Sequence, residues 1–173
     1  SQGSLVKIDP DLSLMKAALF GCGVMTGVGA VVNTARVEPG YSVAVFGLGG
    51  VGLSAVMGAV ASGAWPVIAV DMQAEKLVVA KKMGASHVVQ ADAGDPVEAI
   101  KEITKGGAHY TFEAVGSEKV LLQAYLAARR GGKTISIGVA SPAKELKLQQ
   151  ISLVHGEKTL MGSWMGSAVP RRD

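Results

Sequence analysis

Along the chain, short runs of β-branched and apolar residues alternate with stretches in which apolar positions recur every three or four residues. The run at 42–46 reads as a strand buried on both faces, and 50–62 as a helix of small residues closed by Gly63. A second strand spans 66–70, with Pro66 where no ladder donor is lost, and a helix follows over 73–83, with Lys81 and Lys82 in its last turn. The alternation continues as a strand at 87–90, a helix opened by Asp95 and Pro96 and running to 105, and a strand at 109–115. A helix at 118–129 and strands at 133–137 and 158–161 complete it. Regular β-α alternation with apolar strands predicts an α/β fold, a doubly wound, parallel, six-stranded sheet of Rossmann type, because each right-handed crossover helix must cover a face of the sheet. The segment before Tyr41 does not fit this winding.

Composition narrows the choices. A 173-residue chain that is 49% apolar, with 23 glycines and 5% aromatics, suits one α/β domain with many tight turns. From Gly40 to Val70 there is no charge, a length that could span a bilayer, but the seven glycine and proline breakers from Gly47 to Pro66 favour a strand, a turn, a helix and a second strand instead. No membrane partner is expected. The net charge is +3, and the basic residues form no run longer than Arg129–Arg130 or Arg171–Arg172, so no nucleic-acid partner is expected either. A lone cysteine, Cys22, excludes an internal disulfide and predicts a reducing, cytoplasmic setting, in keeping with an N-terminus that reads as no signal peptide. Both ends read as cut, which predicts a piece of a longer protein.

The candidate chemistry centres on the turn after the first strand. Gly47, Gly49 and Gly52 in Gly47-Leu48-Gly49-Gly50-Val51-Gly52 form a G-x-G-x-x-G pattern between a strand and a helix. Gly47 permits the tight turn, Gly49 clears the approach of a pyrophosphate to the backbone, and Gly52 lets helix and strand pack closely. The diphosphate then meets the N–H groups and positive dipole end of the helix. Asp71 follows Gly52 by 19 residues, at the end of the second strand. There its carboxylate can accept hydrogen bonds from an adenosine ribose and repel a 2′-phosphate, which predicts NAD rather than NADP. It can also serve the helix that starts at 73 as a cap. Two other enzyme types use this fold. A Tyr-x-x-x-Lys pair, as in short-chain dehydrogenases, is excluded because Tyr41, Tyr110 and Tyr125 are followed four residues later by Val45, Ala114 and Arg129. A methyltransferase would share the turn and the acid, although its cofactor lacks a pyrophosphate.

Gly21-Cys22-Gly23-Val24-Met25-Thr26-Gly27, then Pro39-Gly40, the glycine turn and Val70-Asp71, resemble zinc-containing alcohol dehydrogenases of the medium-chain family, with the glutathione-dependent formaldehyde dehydrogenase class nearest. The likeness runs from about Met15 to Gly166. It implies hydride transfer between an alcohol carbon and nicotinamide, with zinc polarising the alcohol oxygen. By that resemblance Cys22 is a ligand of the catalytic zinc, Thr26 packs beside the nicotinamide, Val51 lies behind its ring, and Asp71 and Lys76 surround the adenosine ribose. Ala114 and Val115 lie near the riboses, and the backbone of Ile137-Gly138-Val139 holds the carboxamide. Gly50 belongs to the same cradle.

The resemblance further implies that residues 1–40 connect to a catalytic domain supplying the other zinc ligands, that 41–166 bind the dinucleotide, and that 167–173 begin a link. His87 and His109 read as ordinary strand-start residues and His155 as a loop residue, none of them a ligand. Zinc is therefore expected in the intact enzyme only, and this chain alone is expected to bind NAD(H) without catalysing turnover of an alcohol or aldehyde. The last strand, 158–164, would pair with a two-fold mate to give a homodimer. A free-standing dinucleotide-sensing module that was never an enzyme remains the alternative.

Overall fold

A computed structural model describes residues 7–169. Residues 1–6 and 170–173, with them the Arg171–Arg172 pair and most of the expected C-terminal link, lie outside the described residues. The strands are β1 (Val43–Phe46), β2 (Val67–Asp71), β3 (His87–Gln90), β4 (Ala108–Glu113), β5 (Ala128–Ser136) and β6 (Thr159–Gly162). Helix α1 covers Leu14–Ala35; the others are α2 (Gly50–Ala61), α3 (Ala74–Lys82), α4 (Pro96–Thr104), α5 (Glu118–Ala127) and α6 (Gln150–Gly156). All strand pairs are parallel, in the order β3-β2-β1-β4-β5-β6. The six-stranded doubly wound sheet expected from the alternation is the one that forms.

The central strands are apolar on both sides, which a sheet covered by helices on both faces requires. All of β1 is buried; Val43, Val45, Phe112 and Ile135 face a core with α2, while Phe46, Ile68 and Ala44 face a second core with Ile100 and Ala124 of α4 and α5. Full burial of each such large side chain stabilises the fold by roughly 1.5–3 kcal/mol. Helix α4 begins as its sequence dictates: the Asp95 carboxylate accepts from the Val97 N–H at 2.8 Å, and Pro96 opens the first turn.

Three elements depart from expectation. The glycines before Tyr41 argue against a helix by propensity, yet α1 forms, because they let it lie almost against α2. A Cβ on Gly27 would sit 2.2 Å from the Val51 carbonyl oxygen. Wide π-type turns over Phe20–Val24 and Ala30–Ala35 interrupt α1. At 22 residues and mean hydropathy 1.6 it is long and apolar enough to cross a membrane, while its second half buries Thr26, Ala30 and Val31 in the domain. Secondly, β5 starts at Ala128, where the periodicity suggests that the preceding helix continues to 129. Ala128 pairs with Ala108, the ladder is then irregular across the stretch containing Gly131 and Gly132, and it resumes at Lys133 opposite Tyr110. Thirdly, α6 is a helix of seven residues that places His155 in its last turn and not in a loop. Two turns without a buried residue leave too little periodicity to read.

At the amino ends of the strands His109 is a structural residue. Its Nδ1 lies 2.7 Å from Ser42 Oγ, its ring stacks on Tyr41 at 4.4 Å, and Arg129 Nη1 stands 2.9 Å from Nε2. A guanidinium can only donate, and Nδ1 also accepts from the Ser42 N–H at 3.1 Å, so both ring nitrogens face N–H donors. Burial, with the Arg129 charge as the lesser cause, pushes the imidazole below its ordinary value.

Candidate functional site

Strand register decides which loops meet. Phe46 is level with Val70 on one side and Glu113 on the other, Glu113 is level with Ser136, and Ser136 with Gly162. The segments leaving these strand ends therefore emerge along one edge. β1 pairs with β2 on one side and β4 on the other, so the crossovers depart in opposite directions and a crevice opens between them.

The glycine turn occupies that crevice. Gly47 has φ +88°, in the left-handed region that favours glycine, and a Cβ on Gly52 would fall 1.7 Å from the Gly47 carbonyl oxygen. Gly49 and Gly50 differ: a Cβ on either would meet nothing within 4 Å, so these two positions face open space. Leu53 N–H donates to Gly49 O at 2.9 Å, which leaves the N–H groups of Gly50, Val51 and Gly52 without helical partners at the positive end of α2.

Asp71 points at this turn. Its Oδ2 accepts from the Leu48 N–H at 2.8 Å and its Oδ1 from the Gln73 N–H at 2.9 Å, so it braces the turn and the start of α3 together. Lys76 Nζ stands 3.7 Å from Oδ2. Each carboxylate oxygen has a second lone pair available to a hydroxyl donor.

On the other side of the turn, a cleft of about 360 Å³ brings together Cys22, Thr26, Val51, Ala114, Val115, Ile137, Gly138 and Val139 with Ser163, Trp164 and Met165. Eight residues named from sequence thus share one wall, while Asp71 and Lys76 are not among its lining residues. The last three residues are additions. Strand β6 was read only as a pairing edge, yet a sixth parallel strand must deliver the segment that follows it to the same end of the sheet. Ser163 N–H accordingly bonds Ser136 O at 2.9 Å.

That segment turns back through Met165, Gly166 and Ser167, all with positive φ, and grips α1. Thr34 Oγ1 lies 2.8 Å from Ser163 Oγ and 2.9 Å from Ser167 Oγ, Asn33 Nδ2 donates to Gly166 O at 3.3 Å, and Thr26 Oγ1 donates to Met165 Sδ at 3.8 Å. The grip holds Thr26 beside the cleft. Cys22 is exposed, within the π-type turn over Phe20–Val24. His87 and His109 lie at the opposite, amino ends of their strands.

Zinc fits these residues only in part. Cys22 brings one thiol to the cleft, and among the described residues no three His, Cys, Asp or Glu side chains are grouped to hold a metal. A catalytic zinc takes three protein donors and an open position.

The sheet order and the glycine turn at its switch point define a Rossmann-type domain. The zinc-binding dehydrogenase family matches residues 50–173, and the chain belongs to that family. It is 44% identical over 168 residues to S-(hydroxymethyl)glutathione dehydrogenase of Synechocystis sp., covering 95% of this chain and 44% of that protein. Its identity to alcohol dehydrogenase-like 7 of Arabidopsis thaliana is 42% over 167 residues, 94% of this chain and 43% of that protein. The crystal structure of benzyl alcohol dehydrogenase from Acinetobacter calcoaceticus superposes with a TM-score of 0.95 at 37% identity, over 99% of this chain and 47% of that one. The chain spans less than half the length of these relatives.

Proposed function

We propose that this chain is the NAD(H)-holding part of a zinc-dependent dehydrogenase that passes hydride between an alcohol and nicotinamide. The observation that carries the reading is the open space over Gly49 and Gly50 at the amino end of α2, with the Asp71 carboxylate braced beside it. A diphosphate fits where two side chains are missing and helix N–H groups lack partners. An adenosine ribose then meets Asp71 and Lys76, and the cleft from Thr26 to Met165 receives the nicotinamide half. Residues 41–166 form the dinucleotide unit on this reading, and α1 carries Cys22 and Thr26 to it from the connecting segment.

Zinc, when bound, would polarise the alcohol oxygen. Cys22 would be one of its donors, and the others would come from outside this chain. The relatives are named for alcohols and for S-(hydroxymethyl)glutathione, and an alcohol or aldehyde is the substrate class proposed here.

Titration calorimetry tests the reading. NADH is expected to bind at least about tenfold more tightly than NADPH, because a ribose hydroxyl donates to Asp71 where a phosphate dianion is repelled. In the same preparation, added zinc and alcohol are expected to give no reduction of NAD. Equal or reversed preference removes Asp71 from its proposed role, and brisk zinc-dependent turnover would show that the chain is catalytically complete.

A second copy is proposed to pair with β6. It is the last strand of the sheet, and Lys158 ties the edge to α5 by donating to Tyr125 O at 2.8 Å across the Tyr125 ring. Pairing would cover the row of N–H and C=O groups that an edge strand exposes. Sedimentation is expected to report a dimer at micromolar concentration; a monomer throughout would reject this arrangement.

A further inference from the structure

Glu113 is a carboxylate with 1% of its surface exposed, at the last position of β4. A single oxygen, Oε1, accepts from three successive backbone N–H groups: Val115 at 2.7 Å, Gly116 at 2.6 Å and Ser117 at 3.4 Å. Consecutive N–H groups aimed at one point make a concavity that attracts an anion, and here the chain supplies the anion itself. The main chain of the same residue holds a second loop, for its carbonyl oxygen accepts from Ile137 N–H at 2.8 Å and Gly138 N–H at 3.0 Å.

The two loops so held touch backbone to backbone. A Cβ on Gly138 would lie 2.1 Å from the Gly116 nitrogen, and one on Gly116 would lie 2.6 Å from the Val139 carbonyl oxygen. Neither loop can shift without displacing the other. Together they present Val115 and Val139, which are 55% and 76% exposed, to the cleft. The adenosine side is held by different bonds, those of Asp71 to Leu48 and Gln73, in which Glu113 has no part.

We infer that Glu113 is a positioning residue for the nicotinamide half of the mouth: its buried carboxylate and carbonyl oxygen fix the 114–117 and 137–139 loops together there. This inference rests on the dinucleotide reading above. Removing the charge weakens three bonds that are stronger for being made to an anion, and the 114–117 and 137–139 loops then relax while the bonds of Asp71 to Leu48 and Gln73 on the adenosine side stay in place. A role confined to general stability would lower affinity for both halves alike.

The test compares NADH with ADP on the wild-type chain and on Glu113→Gln and Glu113→Asp. Glu113→Gln is expected to raise the Kd for NADH about tenfold while the Kd for ADP stays within about twofold. Glu113→Asp keeps the charge one methylene short and is expected to fall between Glu113→Gln and wild type; it also serves if the glutamine variant does not fold. Equal weakening of NADH and ADP, or an unchanged NADH-to-ADP ratio in both variants, overturns the inference. Failure of the wild-type chain to bind either nucleotide would instead sink the dinucleotide reading, and the role of Glu113 with it.

Discussion

A Gly52→Ala chain is expected to lose about 2–3 kcal/mol of stability, a fall of roughly 4–12 °C in melting temperature for a domain of this size. The added methyl would sit 1.7 Å from the Gly47 carbonyl oxygen, so the obstacle is backbone, not the end of a side chain that could swing away. Relief requires α2 to withdraw from the turn. Withdrawal in turn strains Gly27 of α1, packed against the Val51 carbonyl one residue earlier in α2. Thermal unfolding followed by circular dichroism measures the effect. A melting temperature within a degree or two of the parent would mean that turn and helix separate at little cost, and that Gly52 is not what holds them close.

The second large effect concerns binding without stability. Gly49 has φ −74° and ψ −173°, extended backbone that any residue adopts, and its Cβ would meet nothing within 4 Å. Gly49→Ala is therefore expected to melt at the parent temperature or slightly above it, since alanine restricts the unfolded chain. The same methyl would occupy the space assigned to the diphosphate, so the Kd for NADH is expected to rise about 10–100-fold, equivalent to about 1.4–2.8 kcal/mol. Calorimetric titration of the folded variant decides the matter. Unchanged affinity would place the diphosphate elsewhere. Two glycines three positions apart thus answer separate questions, because one is surrounded by backbone and the other by open space.

Sheet order, most strand positions, the glycine turn and Asp71 were legible because each leaves a local mark: paired β-branched runs, a glycine spacing, an acid at the end of a strand. Cys22, Thr26, Val51 and the residues at 114–115 and 137–139 were named through the family resemblance, and the structure brings them to one cleft. What escaped depends on relations between distant segments. Helix α1 was obscured by Gly27 and Gly29, which look like breakers until α2 and the 165–167 turn are placed against them. Trp164 and Met165 carry no motif; only the parallel direction of β6 brings them to the cleft. Glu113 read as one more residue of a strand, since nothing in the sequence marks a side chain that folds back on the three N–H groups following it. His109 offered no sign that Ser42, Tyr41 and Arg129 would enclose it, as these come from 67 and 68 positions upstream and 20 downstream.

The parallel sheet also governs when the mouth can exist during synthesis. Every pair of consecutive strands is joined by a crossover connection and none by a hairpin, and β1 waits for β4 before its second edge is matched. A chain emerging from the ribosome therefore carries its phosphate cradle long before the opposite wall has been made, and that wall is completed only by the residues after β6. Such late, long-range closure folds slowly compared with local hairpins or helical pairs. A nucleotide that binds only the closed form would draw the finished chain toward it, by about 2.7 kcal/mol at a hundredfold excess over Kd.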